Sequence, residues 1–247
     1  MPLTSMLREN RIVYDTVWFF RQLMGVTPEK KNQQFHKSRS KKLIKEYLER
    51  YAQKKLQIGA QCNGIDGWLN VDILPKDRQT VYMDATQPFP FENNTFDYIF
   101  SEHMIEHISF LEGEFMLKEC YRVLKPGGAL RIATPNLQFL IDLYSENKTA
   151  TQQNYIKFSK QFLKKELPEM DTMIINNFFR DWGHQFIYDK KALSYTLEKA
   201  GFSHITFCNV GQSHFAELHD IERHGQEITE EFNKLESLIA EAVKINS

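Results

Sequence analysis

The sequence predicts an α/β fold: a doubly wound, seven-stranded sheet whose last two strands form an antiparallel pair, with helices before it and a helical insertion after strand five. Three observations predict it. The stretch from Phe96 to Pro135 reads as a buried strand (Phe96–Ser101), a polar turn (Glu102–His107), an amphipathic helix ending at Leu124 and a second buried strand (Ala129–Thr134). Pro126-Gly127-Gly128 punctuates the return, which makes the whole a βαβ unit. Three further apolar runs, KLQIGA, WLNVDI and TVYMDA, precede that unit. After it, a helical period at KKALSYTLEKAGF leads into HITFCNV and SLIAEAVK, which complete the seven strands.

Taken in order, residues 11–24 (RIVYDTVWFFRQLM) have helical spacing and a dense aromatic set, Tyr14, Trp18, Phe19 and Phe20. Such a helix packs on the main domain or on a second subunit, as in a homodimer. The other reading is a lid, or a peripheral anchor at an interface, since the segment is too short to span a bilayer. Lys30 to Lys55 is strongly basic, and Leu43, Ile44, Tyr47, Leu48 and Tyr51 mark the apolar side of a helix whose other face is solvated. An anionic substrate or headgroup is the sharper use of that charge. Residues 1–54 thus read as an N-terminal helical extension and 55–247 as the main domain, with a helical, substrate-side insertion over 137–181. One connection is short. About eight residues separate the first two strand runs, where a parallel crossover takes about a dozen, so its helix is cut to a turn or the second strand starts late. Residues 222–236 bridge the last two strands.

Composition excludes several classes. With 247 residues, 42% hydrophobic and 26% charged, the chain has enough apolar material for one full core. A formal net charge of -1 gives no field that would draw it to nucleic acid. No apolar run reaches spanning length and no signal peptide is evident, so a cytoplasmic location is expected. Cys62, Cys120 and Cys208 lack metal spacing and read as buried, reduced thiols.

The chemistry collects at strand ends. The first strand closes in Ile58-Gly59-Ala60-Gln61, where a glycine lets the backbone approach a ligand. Asp72 ends the second strand, placed to accept from two ribose hydroxyls, and Asp84 ends the third, placed to accept from an adenine amino group. Together they predict a nucleoside pocket. The turn after the fourth strand carries Ser101, Glu102, His103, Glu106 and His107. Within it, His103-x-x-Glu106-His107 has the His-x-x-Glu-His spacing of inverted zinc peptidases, although a strand-to-helix turn is the wrong context for them. A second reading has Glu106 and His107 capping and orienting the following helix. In the insertion, Tyr155, Phe158, Phe162 and Leu163 have core spacing. NNFFRDWGHQF sets Asn177, Arg180, Trp182 and His184 among aromatics, as a segment that closes over a site would.

GWLNVDI, DATQPFPFENNTFDYIFSEHMIEHI, ECYRVLKPGGALRIATPN and WGHQFIYD…LEKAGF resemble the class I S-adenosylmethionine-dependent methyltransferases, and within them the methyltransferase type 11 group. The resemblance covers about residues 55–244 and implies a Rossmann-like sheet with S-adenosyl-L-methionine across the ends of strands one to four. It implies cofactor contacts from Gly59, Ala60, Gln61, Asp72, Asp84, Ser101 and Glu102. It departs from many relatives at Gln61, where they carry a second glycine. Some O-methyltransferases hold a divalent ion with Glu-x-x-Glu-His at the place of the bend, where this chain has His103 in the first position; no residue is assigned here as a metal ligand. Methyl transfer to a small-molecule acceptor is then expected, at a hydroxyl, with a sugar or polysaccharide precursor as the acceptor class. His103, His107 and His184 are the candidate catalytic bases, and Asn177, Arg180 and Trp182 the candidate substrate contacts. The alternative function is a cofactor-binding or interaction module that has lost turnover.

Overall fold

The computed structural model describes residues 29–245, with side chains placed from residue 39 onward. The aromatic segment 11–24, and the homodimer or peripheral contact assigned to it, lie outside the described residues. The first described helix, α1 (Glu29–Arg50), turns Ile44 and Tyr47 into the main core, while Lys42–Glu46 and Lys45–Glu49 pair along its solvated face. Leu43, Leu48 and Tyr51 pack partly buried beside them, as their spacing predicts. The Tyr47 hydroxyl sits between the Lys55 N–H and the Lys55 and Gly67 carbonyls, which ties α1 to the start of the sheet.

Seven strands follow: β1 (Lys55–Ile58), β2 (Leu69–Asp72), β3 (Val81–Tyr82), β4 (Phe96–Glu102), β5 (Leu124–Pro135), β6 (Ser203–Cys208) and β7 (Ser237–Val243). Their order is β3-β2-β1-β4-β5-β7-β6. The first five run parallel, and β7 lies antiparallel between β5 and β6. β1 and β2 are parallel although residues 59–68 between them form turns and no helix. Gln57 and Asn70 hold that loop in place of a helix, since both side-chain carbonyls accept from Ile65 N–H. β3 keeps only two residues of the expected TVYMDA run, and Ser40 of α1 accepts the Tyr82 N–H at 2.9 Å, closing that edge.

The helix after β4, α2 (Phe110–Val123), opens with a capping box in which Ser109 and Glu112 satisfy each other's backbone N–H groups. Capping by Glu106 and His107 is therefore corrected: Ser109 does that work. Strand β5 begins directly at Leu124, so Pro126-Gly127-Gly128 lies inside the strand as an irregularity opposite Phe96–Tyr98 and does not separate helix from strand. The insertion supplies α3 (Leu137–Leu143), α4 (Ala150–Ser159) and α5 (Asp171–Arg180), and α6 (Lys190–Ala200) follows it. Residues between β6 and β7 end in α7 (Glu230–Glu236).

Three apolar clusters result. Helices α1, α2 and α6 bury Ile44, Tyr47, Met116, Leu117, Cys120, Leu193 and Leu197 against one face of the sheet. The opposite face, with Phe100 and Ala129, is covered by Ile65, Trp68, Leu218 and Ile221 from loops. Helices α3, α4, α5 and α7 form their own core through Phe139, Tyr155, Ile174, Phe178 and Phe232, which confirms core packing for Tyr155. Of the cysteines only Cys120 is buried; Cys62 is exposed and Cys208 half-buried, a correction to the expectation of three buried thiols. Among the described residues no helix is long and apolar enough to cross a membrane.

Arg131, in the middle of β5, is fully buried. Its guanidinium lies 2.5 Å from Glu222 and 2.6 Å from Glu241, and it donates to the Gln212 carbonyl at 2.8 Å. It thereby fastens the segment before α7 to the sheet. Arg131→Met leaves two buried carboxylates without their cation and is expected to cost about 3–5 kcal/mol in urea denaturation. A loss below about 1 kcal/mol would show that the carboxylates find other partners.

Candidate functional site

The strand order sets the ends of β3, β2, β1 and β4 side by side. Gly59, just past β1, has φ +77, and a Cβ there would meet Met104 at 2.6 Å. Met104 therefore occupies the ground that the missing side chain leaves. Ala60 is buried, and Gln61 holds a left-handed φ of +43 that a non-glycine residue rarely adopts. Its backbone N–H donates to Asp72 Oδ2 at 2.9 Å, while Leu74 N–H donates to Oδ1 at 2.6 Å. Asp72 is buried, with one backbone donor on each oxygen and a lone pair left on each. Asp84, half-buried, accepts from the Thr86 N–H and hydroxyl through Oδ1. Ser101, near the end of β4, has a buried hydroxyl with no protein partner.

These groups fit an adenosyl ligand in three respects: a carboxylate with spare acceptor capacity, a hydroxyl lacking a partner, and a glycine approach guarded only by a flexible thioether.

Beyond Ser101 the chain bends sharply, with His103 at φ +45 and a single turn of 3-10 helix over Ile105–His107. Glu106 is fully buried. Its Oε2 accepts from Thr134 at 3.0 Å, and its Oε1 lies 3.4 Å from His103 Nδ1 and 4.0 Å from His107 Nε2. Burial opposes the charge on both members of the pair. The attraction between them wins, holding His103 up at about 9 and Glu106 down at about 2. His103 Nε2 is in turn 3.2 Å from Ser237 Oγ.

A second layer comes from the end of the chain. The His224 ring stacks on His103 with centroids 3.8 Å apart, and its Nε2 lies 2.8 Å from Glu236, which also takes the Tyr155 hydroxyl. Glu102 accepts backbone N–H groups from Arg223 and His224 at 2.9–3.0 Å. Burial nevertheless raises its pKa, because those donors offset only part of the desolvation. The C-terminal segment thus closes over the end of β4.

The insertion closes the other side. His184 directs Nδ1 at the Phe178 carbonyl, 2.7 Å away, and packs its ring against His107 with centroids 4.9 Å apart. A carbonyl partner fixes the proton on Nδ1 and leaves the lone pair on Nε2; burial lowers the pKa of the ring. Gln185 clamps this contact by donating its backbone N–H to the Glu106 carbonyl and its side-chain amide to the His107 carbonyl. Trp182, at φ +60, packs on Phe178 and His184. Asn177 is buried in α5 and Arg180 is exposed at its end, so neither joins the histidine cluster through any contact described here. The structure brings His103, His107 and His184 together through Glu106. His224, Glu236 and Thr134 also belong to the cluster. Nothing in their local sequence announces them, because they arrive by tertiary folding from β5 and the terminal connection.

Residues 47–132 match the family described as a methyltransferase domain. The fold also has neighbours among solved structures. A methyltransferase from Archaeoglobus fulgidus shares 18% identity, with 93% of this chain and all 100% of that one covered, at a TM-score of 0.48. Phosphoethanolamine N-methyltransferase 2 from Haemonchus contortus, bound to S-adenosyl-L-methionine, shares 17% over 85% of this chain at a TM-score of 0.43, and the present chain spans 53% of its length. An S-adenosylmethionine-dependent methyltransferase from Mesorhizobium loti shares 13%, covering 77% and 90% of the two chains at a TM-score of 0.46. No curated protein matches in sequence.

Glu102→Ala removes the acceptor of two backbone amides. It is expected to speed hydrogen exchange at Arg223 and His224 by about tenfold or more, since a charge-assisted bond contributes about 1.5–3 kcal/mol. Unchanged exchange at both amides would show that the segment is held elsewhere.

Proposed function

We propose that this chain transfers a methyl group from S-adenosylmethionine to a hydroxyl of a small molecule, with a sugar or polysaccharide precursor as the acceptor class. One observation carries the reading: strand order β3-β2-β1-β4 puts Asp84, Asp72, Gly59 and the histidine-bearing bend in a row along one edge. Asp72 would hold the ribose, Asp84 the adenine, and Ser101 with the Gly59–Gln61 loop the amino-acid end. The bound cofactor supplies an electrophilic methyl carbon on a sulfonium. For the protein, the work is alignment and exclusion of water, because an in-line displacement needs donor and acceptor held close and dry.

The acceptor side is then the bend and the insertion. Both ring nitrogens of His103 face protein partners, Glu106 and Ser237, which makes it a positioning group. His107 and His184 face the acceptor in this reading, with Trp182 beside them as an apolar platform for a sugar ring and Asn177 and Arg180 farther out. The competing reading, an interaction module without turnover, draws on Met104 over Gly59 and on the Gln61 N–H bound to Asp72.

Calorimetric titration separates the two. The chain is expected to bind S-adenosylmethionine and S-adenosylhomocysteine, with Asp72→Ala and Asp84→Ala each weakening binding by about tenfold, the loss of one charge-assisted contact. Failure of the wild type to bind either compound at high micromolar concentration retires the enzyme. Transfer itself is read with a labelled methyl donor and hydroxylated acceptors, where His107→Ala is expected to lower turnover about 10²-fold with donor affinity kept. Transfer to amines in preference to hydroxyls would overturn the acceptor class.

A further inference from the structure

Two groups of side chains among the described residues gather three metal-capable ligand atoms within 4.8 Å of one another: His103, His224 and Glu236, and Glu106, His107 and His184. They differ in how far their atoms are already committed. In the first group His224 Nε2 is hydrogen-bonded to Glu236 at 2.8 Å, Glu236 also takes the Tyr155 hydroxyl, and His103 Nε2 faces Ser237. Its polar atoms satisfy each other.

The second group does not. Glu106 Oε1 is a buried carboxylate oxygen that no hydrogen bond closes; His103 Nδ1 lies 3.4 Å from it and His107 Nε2 4.0 Å, which leaves it acceptor capacity beside His107 and His184. His184 presents Nε2 to that space because Nδ1 is held by the Phe178 carbonyl at 2.7 Å. A metal-ligating imidazole has the same arrangement, with its other nitrogen donating to a carbonyl that fixes ring and tautomer. The carboxylate is oriented likewise, by Thr134 on Oε2. The two backbones are locked together by Gln185, so the three donors are preorganised across a strand-to-helix bend and a loop some eighty residues apart, on the order of the separation that Gln185 itself bridges.

We propose that Glu106, His107 and His184 form a binding site for a divalent first-row transition cation of the zinc class. Two imidazoles and one carboxylate are the donor set that such ions take and that magnesium and calcium do not favour. Three protein ligands leave a coordination position open, on the side where His107 retains 30% side-chain exposure. A tetrahedral ion with bonds of about 2.0–2.1 Å sets its donors about 3.3 Å apart, so side-chain rotations of about 1 Å complete the set. The site differs from the contiguous His103-x-x-Glu106-His107 pattern in the sequence: His103 pairs with Glu106 Oε1 and turns Nε2 to Ser237, while His184 comes from a distant loop as the third donor. It stands independently of the methyl-transfer reading.

The test is metal binding by the full chain, stripped with chelator and titrated with Zn2+ and with Co2+, whose visible absorption reports coordination geometry. One equivalent is expected, with a four- or five-coordinate cobalt spectrum. His184→Gln and Glu106→Gln are expected to weaken binding by about tenfold or more, and His224→Ala to leave it unchanged, each variant checked for native circular dichroism. Absence of saturable binding in the wild type overturns the proposal. So does a loss that follows His224 and spares His184, or preference for Mg2+ over Zn2+.

Discussion

A carboxylate that sees no solvent governs this end of the molecule. Glu106 is fully buried at the bend after β4, and an ionised group there survives only with partners on several sides. His103 answers it from the preceding turn, Thr134 from the end of β5, and His107 from the next residue. The insertion then anchors on the same backbone, through Gln185 at the Glu106 carbonyl. Elements separate in the chain are thus brought to one point by the cost of leaving one charge alone. The left-handed conformation of His103 belongs to the same arrangement, because the bend must turn the imidazole back over the carboxylate.

The architecture was legible where periodicity and strand ends speak for themselves. The βαβ unit, the terminal antiparallel strand and the apolar face of α1 are dictated by which residues can be buried, and local pattern encodes that. Ser109 and Glu112 were equally readable as a capping box, and reading Glu106 and His107 as the cap overlooked them. The turn-only path from β1 to β2 was visible as a shortage of residues, although the side chains that replace the helix, Gln57 and Asn70, were not. For the site, the bend and His184 stood out because polar groups lay among aromatics. His224, Glu236 and Thr134 did not, since their roles exist only after β7 inserts beside β5 and the terminal segment folds back.

Two layers of charge organise the region differently. The inner layer, around Glu106, keeps spare acceptor capacity on Oε1, which only the His103 ion pair at 3.4 Å and the more distant His107 approach. The outer layer, His224 with Glu236 and Tyr155, is closed upon itself. Arg131, in register with Phe100 and so on the same face of the sheet as Glu102, reaches this segment through Glu222, next to the residues that Glu102 holds. Segment 222–224 is therefore held by a cation at Glu222 and by an anion at the Arg223 and His224 N–H groups, just where the 3-10 turn His224–Gln226 begins.

Met104 gives the region one more property. Its thioether lies over Gly59 and shares a short bend with His103 and Glu106. A side chain at position 59 would have to displace it, and the same bend carries the left-handed His103. Met104 therefore joins the end of β1 to the bend after β4, and a shift of its side chain at one place is felt at the other.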